Sequence, residues 1–449
     1  MKRCVLVCAL LLAVRAADAQ PPANGAHPAP PWSSHALESP YRENLSEDEK
    51  VAGLSKFWAE VRFNFANFDL VPELDWDALY LAYLPKVRQT RSTLEYYQVL
   101  EELCARLKDG HTNVIPPREI IETSDRPPLR TALVEDKVLI TRVLSDRLLG
   151  EGVRVGLEIE AVDGIPVRQY ARERVAPYES SSTPQDLDLR SYSYSLLAGL
   201  QSQAVELTLR DERGNVFKRT VRRSGYDDEK SAARPLLEFR TLEGNIAYVA
   251  LNSFQDDSLL KLFEDAFPKI QTADAMILDL RQNDGGNGSL GDSILAHLTD
   301  RSFKGARWRT REYVPAYRAW GREEGWLRND GEETQGNASR FYGKPVVLLV
   351  GPRTFSAGED FTVAFDAMGR GKIVGEPTGG STGQPLFFTL PGGGSARVCT
   401  KRDSYPDGRE FVGRGIQPHI VVHPTVSDFR AGRDTVLEAA LRELRKPAK

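Results

Sequence analysis

A multi-domain α/β protein is predicted by three observations. Between residues 236 and 426, continuous apolar runs such as "AMILDL" and "PVVLLV" alternate with amphipathic stretches, the pattern of strands buried on both faces by helices. Residues 128–224 hold short β-branched runs bounded by Gly, Asp or Asn. Residues 42–118 repeat apolar side chains at helical spacing. A chain of 449 residues also exceeds what one small core organises.

Residues 1–19, "MKRCVLVCALLLAVRAADA", combine basic Lys2 and Arg3, an apolar run, and small Ala17 and Ala19, the three parts of a secretory signal. The run is too short to span a bilayer, so an exported chain without a stable membrane anchor is expected, periplasmic or extracellular. Residues 20–41, rich in Pro, Ala and Ser, read as a flexible leader. Ser46 and Glu49 then stand in capping-box spacing, with Val51, Leu54, Phe57, Trp58 and Val61 following at helical period. Further helices are predicted at Asp75–Val87 and Ser92–Leu107. Residues 427–449 are predicted to close the chain with a helix over Asp434–Arg445.

A formal charge of −4 gives no basic field, so nucleic acid is not expected as a partner. Of the four cysteines, Cys4 and Cys8 fall in the signal; Cys104 and Cys399 could pair or stay as buried thiols. Asp279, Asp284 and Asp292 have no histidine near them in sequence, and no metal or other cofactor is expected.

Three stretches carry candidate chemistry. In "VVLLVGPRTFSAGEDF", Ser356 falls where a buried strand yields to a helix, beside unpaired N–H groups and the positive end of the helix dipole. This stretch alone fits an ordinary N-capping serine, the commoner case, or a nucleophile. In "AMILDLRQNDGGNG", Gly285 and Gly286 let a backbone approach closely. A phosphate loop lacks its G-x-G-x-x-G and its Lys, leaving half of an oxyanion hole, completed by the Ala357 N–H, or a turn needing positive φ. In "LKDGHTNV", His111 is the candidate general base, between Asp109 and Thr112, which are both able to hold an imidazole. His27 and His35 fall in the leader, His297 late in a helix, and His419 and His423 in the C-terminal strand region. The aromatic-rich segment Phe303–Glu333 reads as a lid or as an insertion at the sheet edge.

Taken together, "KDGHT", "LDLRQNDGG" and "TFSAGE", in that order, resemble the C-terminal-processing (tail-specific) serine peptidases. "GVRVGLEIEAVDGIPV" resembles the later part of a PDZ domain. The resemblance implies a crotonase/ClpP-like ββα catalytic domain, preceded by an N-terminal helical domain and a PDZ-like β domain. It implies a serine endopeptidase working through an acyl-enzyme, with a protein or peptide substrate recognised by its C-terminus through strand addition. The family's lysine is absent, since "EPTGGSTGQP" places Ser381 there. That favours the histidine-dependent, tricorn-type branch, with Ser356 as nucleophile, His111 as base, and Gly285 and Ala357 as oxyanion donors. The late Glu of that branch is replaced by Val412, leaving Glu359, Glu410 or no residue at all as the orienting acid. Two alternatives remain. One is a non-catalytic ligand- or peptide-binding protein on the same scaffold, as interphotoreceptor retinoid-binding protein resembles this family. The other is an α/β-hydrolase esterase, which the missing first Gly of G-x-S-x-G and the early histidine disfavour.

Overall fold

The computed structural model describes residues 37–226, 234–323 and 325–446. The signal and the leader as far as residue 36 lie outside them. Among the described residues no helix is long and apolar enough to cross a membrane.

Six strands form the central sheet, in the order Leu237–Leu242, Ile246–Leu251, Ala275–Asp279, Val346–Val350, Lys372–Gly375 and Ile420–Val421. The first pair is antiparallel and the rest parallel. The three strands from Ile246 to Val350 are buried at every residue, because both sheet faces are covered. Helices Ser258–Thr272, Gly288–Ala296 and Ala357–Ala367 pack one face through Phe263, Phe267, Ile294 and Phe361. The other face is closed by Thr435–Leu444 through Val436, Ala439 and Ala440. This last helix, set apart in the sequence reading, therefore shares the core of the central sheet. Asp279 is structural here: its carboxylate accepts from Tyr248 Oη and Arg281.

The N-terminal helices are Glu47–Asn64, Trp76–Gln89 and Thr93–Ala105. The first opens with the capping box its sequence predicts, Ser46 and Glu49 each satisfying the other's backbone N–H. Their core is not self-contained. It is completed by Leu390, Ala396, Val398 and Cys399 from far along the chain. Ala396, Val398 and Cys399 belong to an antiparallel sheet in which Asn113–Ile115 pairs with Ser395–Cys399, and the latter with Pro385–Thr389, which Leu390 follows. The register pair Asn113↔Arg397 thus fixes where His111 ends up. Both Cys104 and Cys399 are buried free thiols, with Cys104 Sγ donating to Thr112 O.

Strands Leu129–Val134, Lys137–Val143, Glu158–Val162, Val205–Arg210 and Val216–Val221 build a second antiparallel sheet around its own core of Ile140, Ile159, Leu207 and Val221. An excursion from this unit reaches back to the central region. Thr183 Oγ1 donates to Gly379 O at 3.0 Å, and Gln185 Nε2 to Thr378 O at 2.8 Å. In the 303–333 segment, Arg307–Glu312 pairs with Gly325–Asn329 and with Lys401–Ser404 in a separate three-stranded sheet, not at the edge of the central one, and Trp320 is exposed.

Candidate active site

The strand Val346–Val350 delivers a turn whose last residue, Ser356, precedes helix Ala357–Ala367. Ser356 holds φ 55° and ψ −127°, a conformation costly for any residue with a Cβ. Its hydroxyl makes no capping bond to the helix, so the ordinary N-cap reading fails. Instead Ser356 Oγ lies 3.0 Å from His111 Nε2. The Ala357 N–H opens the helix and, by helix geometry, has no intrahelical acceptor. The hydroxyl of this strained serine thus has no capping role and meets an imidazole instead.

His111 is buried, and its ring stacks on Phe355 with centroids 4.7 Å apart. Burial pushes its pKa well below the ordinary 6.5, and Arg397, Arg190 and Lys401 push it the same way. The imidazole is therefore neutral near pH 7, as a proton acceptor must be. Asp109 does not touch the ring, contrary to the sequence expectation. Its Oδ1 accepts from the His111 N–H at 3.0 Å and from Thr112 Oγ1 at 2.9 Å, while Oδ2 accepts from Asn67 Nδ2. It fixes the loop backbone and leaves the imidazole to another partner.

That partner is Ser381, whose Oγ lies 2.8 Å from His111 Nδ1. An Nδ1–H donated to Ser381 leaves the Nε2 lone pair facing Ser356, the tautomer a base requires. Ser381 is held on both sides: its carbonyl accepts from the Ser356 N–H at 3.1 Å, and its N–H donates to Glu359 Oε2 at 2.8 Å. Sequence reading met this serine only as a missing lysine; position alone could not show the hydroxyl turning to the imidazole.

Neither candidate acid reaches the ring. Glu359 is fully buried; its Oε1 accepts from Thr378 Oγ1 at 2.5 Å and the Gly380 N–H at 2.8 Å. Burial raises its pKa to about 7 against these three hydrogen bonds. It acts on His111 only through Ser381. Glu410 lies elsewhere, its Oε2 accepting from Arg402 Nε at 3.0 Å. Val412 is packed among Val363, Phe411 and Ile416, so no carboxylate occupies its place.

Gly285 also departs from expectation. Its N–H donates to Asn283 Oδ1 at 2.9 Å, and Asn283 is itself fixed by donating to Leu251 O. What Gly285 contributes is closeness. A Cβ there would sit 2.7 Å from Ser356 Cβ and 3.0 Å from Phe355 O, at φ +101°. Gly285→Ala is accordingly expected to displace Ser356 and lower kcat about 100-fold. Active-site titration beside a thermal melt checks this, and wild-type kcat in a folded variant would refute it.

A strained strand-to-helix serine with a buried imidazole 3.0 Å from its hydroxyl is an arrangement of the serine-hydrolase kind. Residues 245–422 match the model of Peptidase family S41. The chain is 23% identical over 383 residues to a carboxyl-terminal-processing protease of Picosynechococcus sp., covering 82% of this chain and 80% of that one. Its fold is similar to that of mature CPAF, solved with lactacystin, at TM-score 0.69 and 16% identity, over 89% of this chain and 98% of that one. It is also similar to the photosystem II D1 C-terminal processing protease, at TM-score 0.51 and 20% identity, over 89% and 98%. The chain carries a Peptidase family S41 domain, homologous to the carboxyl-terminal-processing proteases, and is a serine-type peptidase.

Proposed function

We propose that the chain is an exported, secreted or periplasmic, endopeptidase that processes protein or peptide substrates near their C-termini. Ser356 is the nucleophile and His111 the general base. Ser356 Oγ adds to the scissile carbonyl carbon while its proton passes to His111 Nε2. The negative charge forming on the carbonyl oxygen meets the Ala357 N–H, a stabilisation of about 3 kcal/mol per donor. Collapse of the adduct expels the amine, which takes the proton from Nε2. Water then attacks the acyl-enzyme, with His111 again as base. No step calls for a cofactor. Ser381 keeps the imidazole in its working tautomer throughout, and Glu359 keeps Ser381 in place.

The observation that carries this reading is the single imidazole bridging two hydroxyls, 3.0 Å to Ser356 and 2.8 Å to Ser381. The sheet at 128–224 is read as a PDZ-like module. Its strands form a separate antiparallel unit, and its excursion bonds the backbone at Thr378 and Gly379 beside Ser381, a route by which an occupied module would reach the site. Export rests on the N-terminal sequence alone. A fluorophosphonate probe is expected to label Ser356 in the mature chain, and the same preparation to digest casein. Labelling lost in Ser356→Ala would support the assignment; an unlabelled wild-type chain would indicate a non-catalytic carrier instead.

A further inference from the structure

Three side chains around His111 carry hydrogen-bond donors that meet no acceptor among the described residues. The register pairs Asn113↔Arg397 and Phe387↔Arg397 set Asn113, Arg397 and Phe387 in one row across the small sheet, on a shared face. His111 precedes Asn113 by two residues. Arg397 Nε donates to Asn113 Oδ1 at 2.7 Å, which identifies the other end of that amide as its nitrogen. Asn113 Nδ2 is buried and unpartnered. The terminal nitrogens of Arg397 meet no acceptor among the described residues. Arg190, whose guanidinium lies 5.5 Å from the centre of the Phe355 ring that stacks on His111, leaves Nη1 buried without a partner.

The charge balance points the same way. Asp186 pairs with Arg190 at 2.8 Å, but no carboxylate pairs with Arg397 among the described residues. The oxygens of Asp109 are taken by His111 N, Thr112 and Asn67. Lys401 is paired with Asp403 at 3.0 Å. Burial pulls the pKa of Arg397 down to about 10, which leaves it charged at neutral pH. A buried donor left unmade is costly, and an arginine fork next to a free amide N–H matches a planar two-oxygen acceptor. Phe387, 59% exposed in the same row, offers an apolar shelf beside it.

We propose that Arg397 and Asn113 form a substrate subsite beside His111 that binds a carboxylate, Arg397 through its terminal nitrogens and Asn113 through Nδ2. The inference rests on the peptidase reading above and adds the chemistry by which that site chooses its substrate. The carboxylate is either the α-carboxylate of a chain end or an Asp or Glu side chain near the scissile bond.

The test uses four peptides of one sequence: a free C-terminal acid, its C-terminal amide, the amide with a Glu beside the scissile bond, and the amide with Gln there. Wild-type kcat/KM is expected to favour a carboxylate-bearing peptide over its neutral counterpart about 10–100-fold, mostly through KM. The acid/amide and Glu/Gln ratios identify which carboxylate is read. In Arg397→Met the preferred ratio should fall to about one. In Arg397→Lys, which keeps the charge without the fork and serves if the methionine variant does not fold, it should fall several-fold. Wild-type ratios near one, or ratios unchanged in both variants, would overturn the subsite. Fluorophosphonate labelling of wild-type Ser356 reports separately on the peptidase reading: labelling with flat ratios condemns the subsite alone, whereas no labelling condemns the reading beneath it.

Discussion

His111→Ala is expected to lower kcat about 10⁴–10⁶-fold with KM changed only a few-fold, and the double variant with Ser356→Ala should be no worse than either single one. The imidazole makes its one bond to Ser356 through Nε2 at 3.0 Å, so its removal takes away the acceptor for the hydroxyl proton. In the proposed mechanism nucleophile and base act as a unit, so losing either loses the whole step. Lys401 is no substitute: burial works against its charge, but Asp403, 3.0 Å away, and Asp360 outweigh it and raise the pKa, so it stays protonated. Asp109 is occupied by the loop backbone and side chains around it. Steady-state kinetics on a peptide substrate, with circular dichroism to confirm the fold, decide the matter. A His111→Ala enzyme retaining more than about 1% of kcat would place the base elsewhere.

What the sequence disclosed about this site follows from which contacts are local. The capping box at Ser46, the continuous apolar strands and the strand-to-helix turn at Ser356 depend on neighbours a few residues apart, and all are legible in the chain. The meeting of His111 with Ser356 was inferred from the order of three motifs. What brings it about is the register Asn113↔Arg397, which no local pattern encodes. Ser381 was invisible as a partner because its role depends on which way one hydroxyl turns across that same junction. Glu410 was misplaced because a long-range arginine, Arg402, claims its carboxylate. Nothing in "RQNDGG" signals that Asn283 folds back to accept the Gly285 N–H, so the sequence offers that N–H as an oxyanion donor. Motifs point to the candidate reacting atoms, whereas the groups that hold them are matters of tertiary distance.

Glu359→Gln should separate holding from reacting. Every bond to this carboxylate comes from a donor: Thr378 Oγ1 and Gly380 N on one oxygen, Ser381 N on the other. The Oε1 position cannot take an NH₂ without opposing the Gly380 N–H, which can only donate. An amide must aim its NH₂ at one of these donors. With its oxygen on the Thr378 side, the NH₂ faces the Ser381 N–H, and Ser381 shifts, carrying its hydroxyl away from His111 Nδ1. A fall in kcat of about 10–100-fold with little change in KM is expected, on the scale of one to two hydrogen bonds lost from a positioned group. Stability gives a second readout. Because the folded pKa of Glu359 is raised from 4.5 to about 7, the folded chain binds more protons than the unfolded chain between those values. Stability therefore falls as pH rises through that window, by on the order of 3 kcal/mol in full, and levels off above it. Glutamine does not titrate, so this component should vanish from the variant. Urea midpoints at pH 5, 6, 7 and 8 for both proteins measure it as the difference between two curves. Curves that run parallel would mean the carboxylate is ionised throughout the range and the burial argument is wrong, while an unchanged kcat would mean Ser381 needs no support from Glu359.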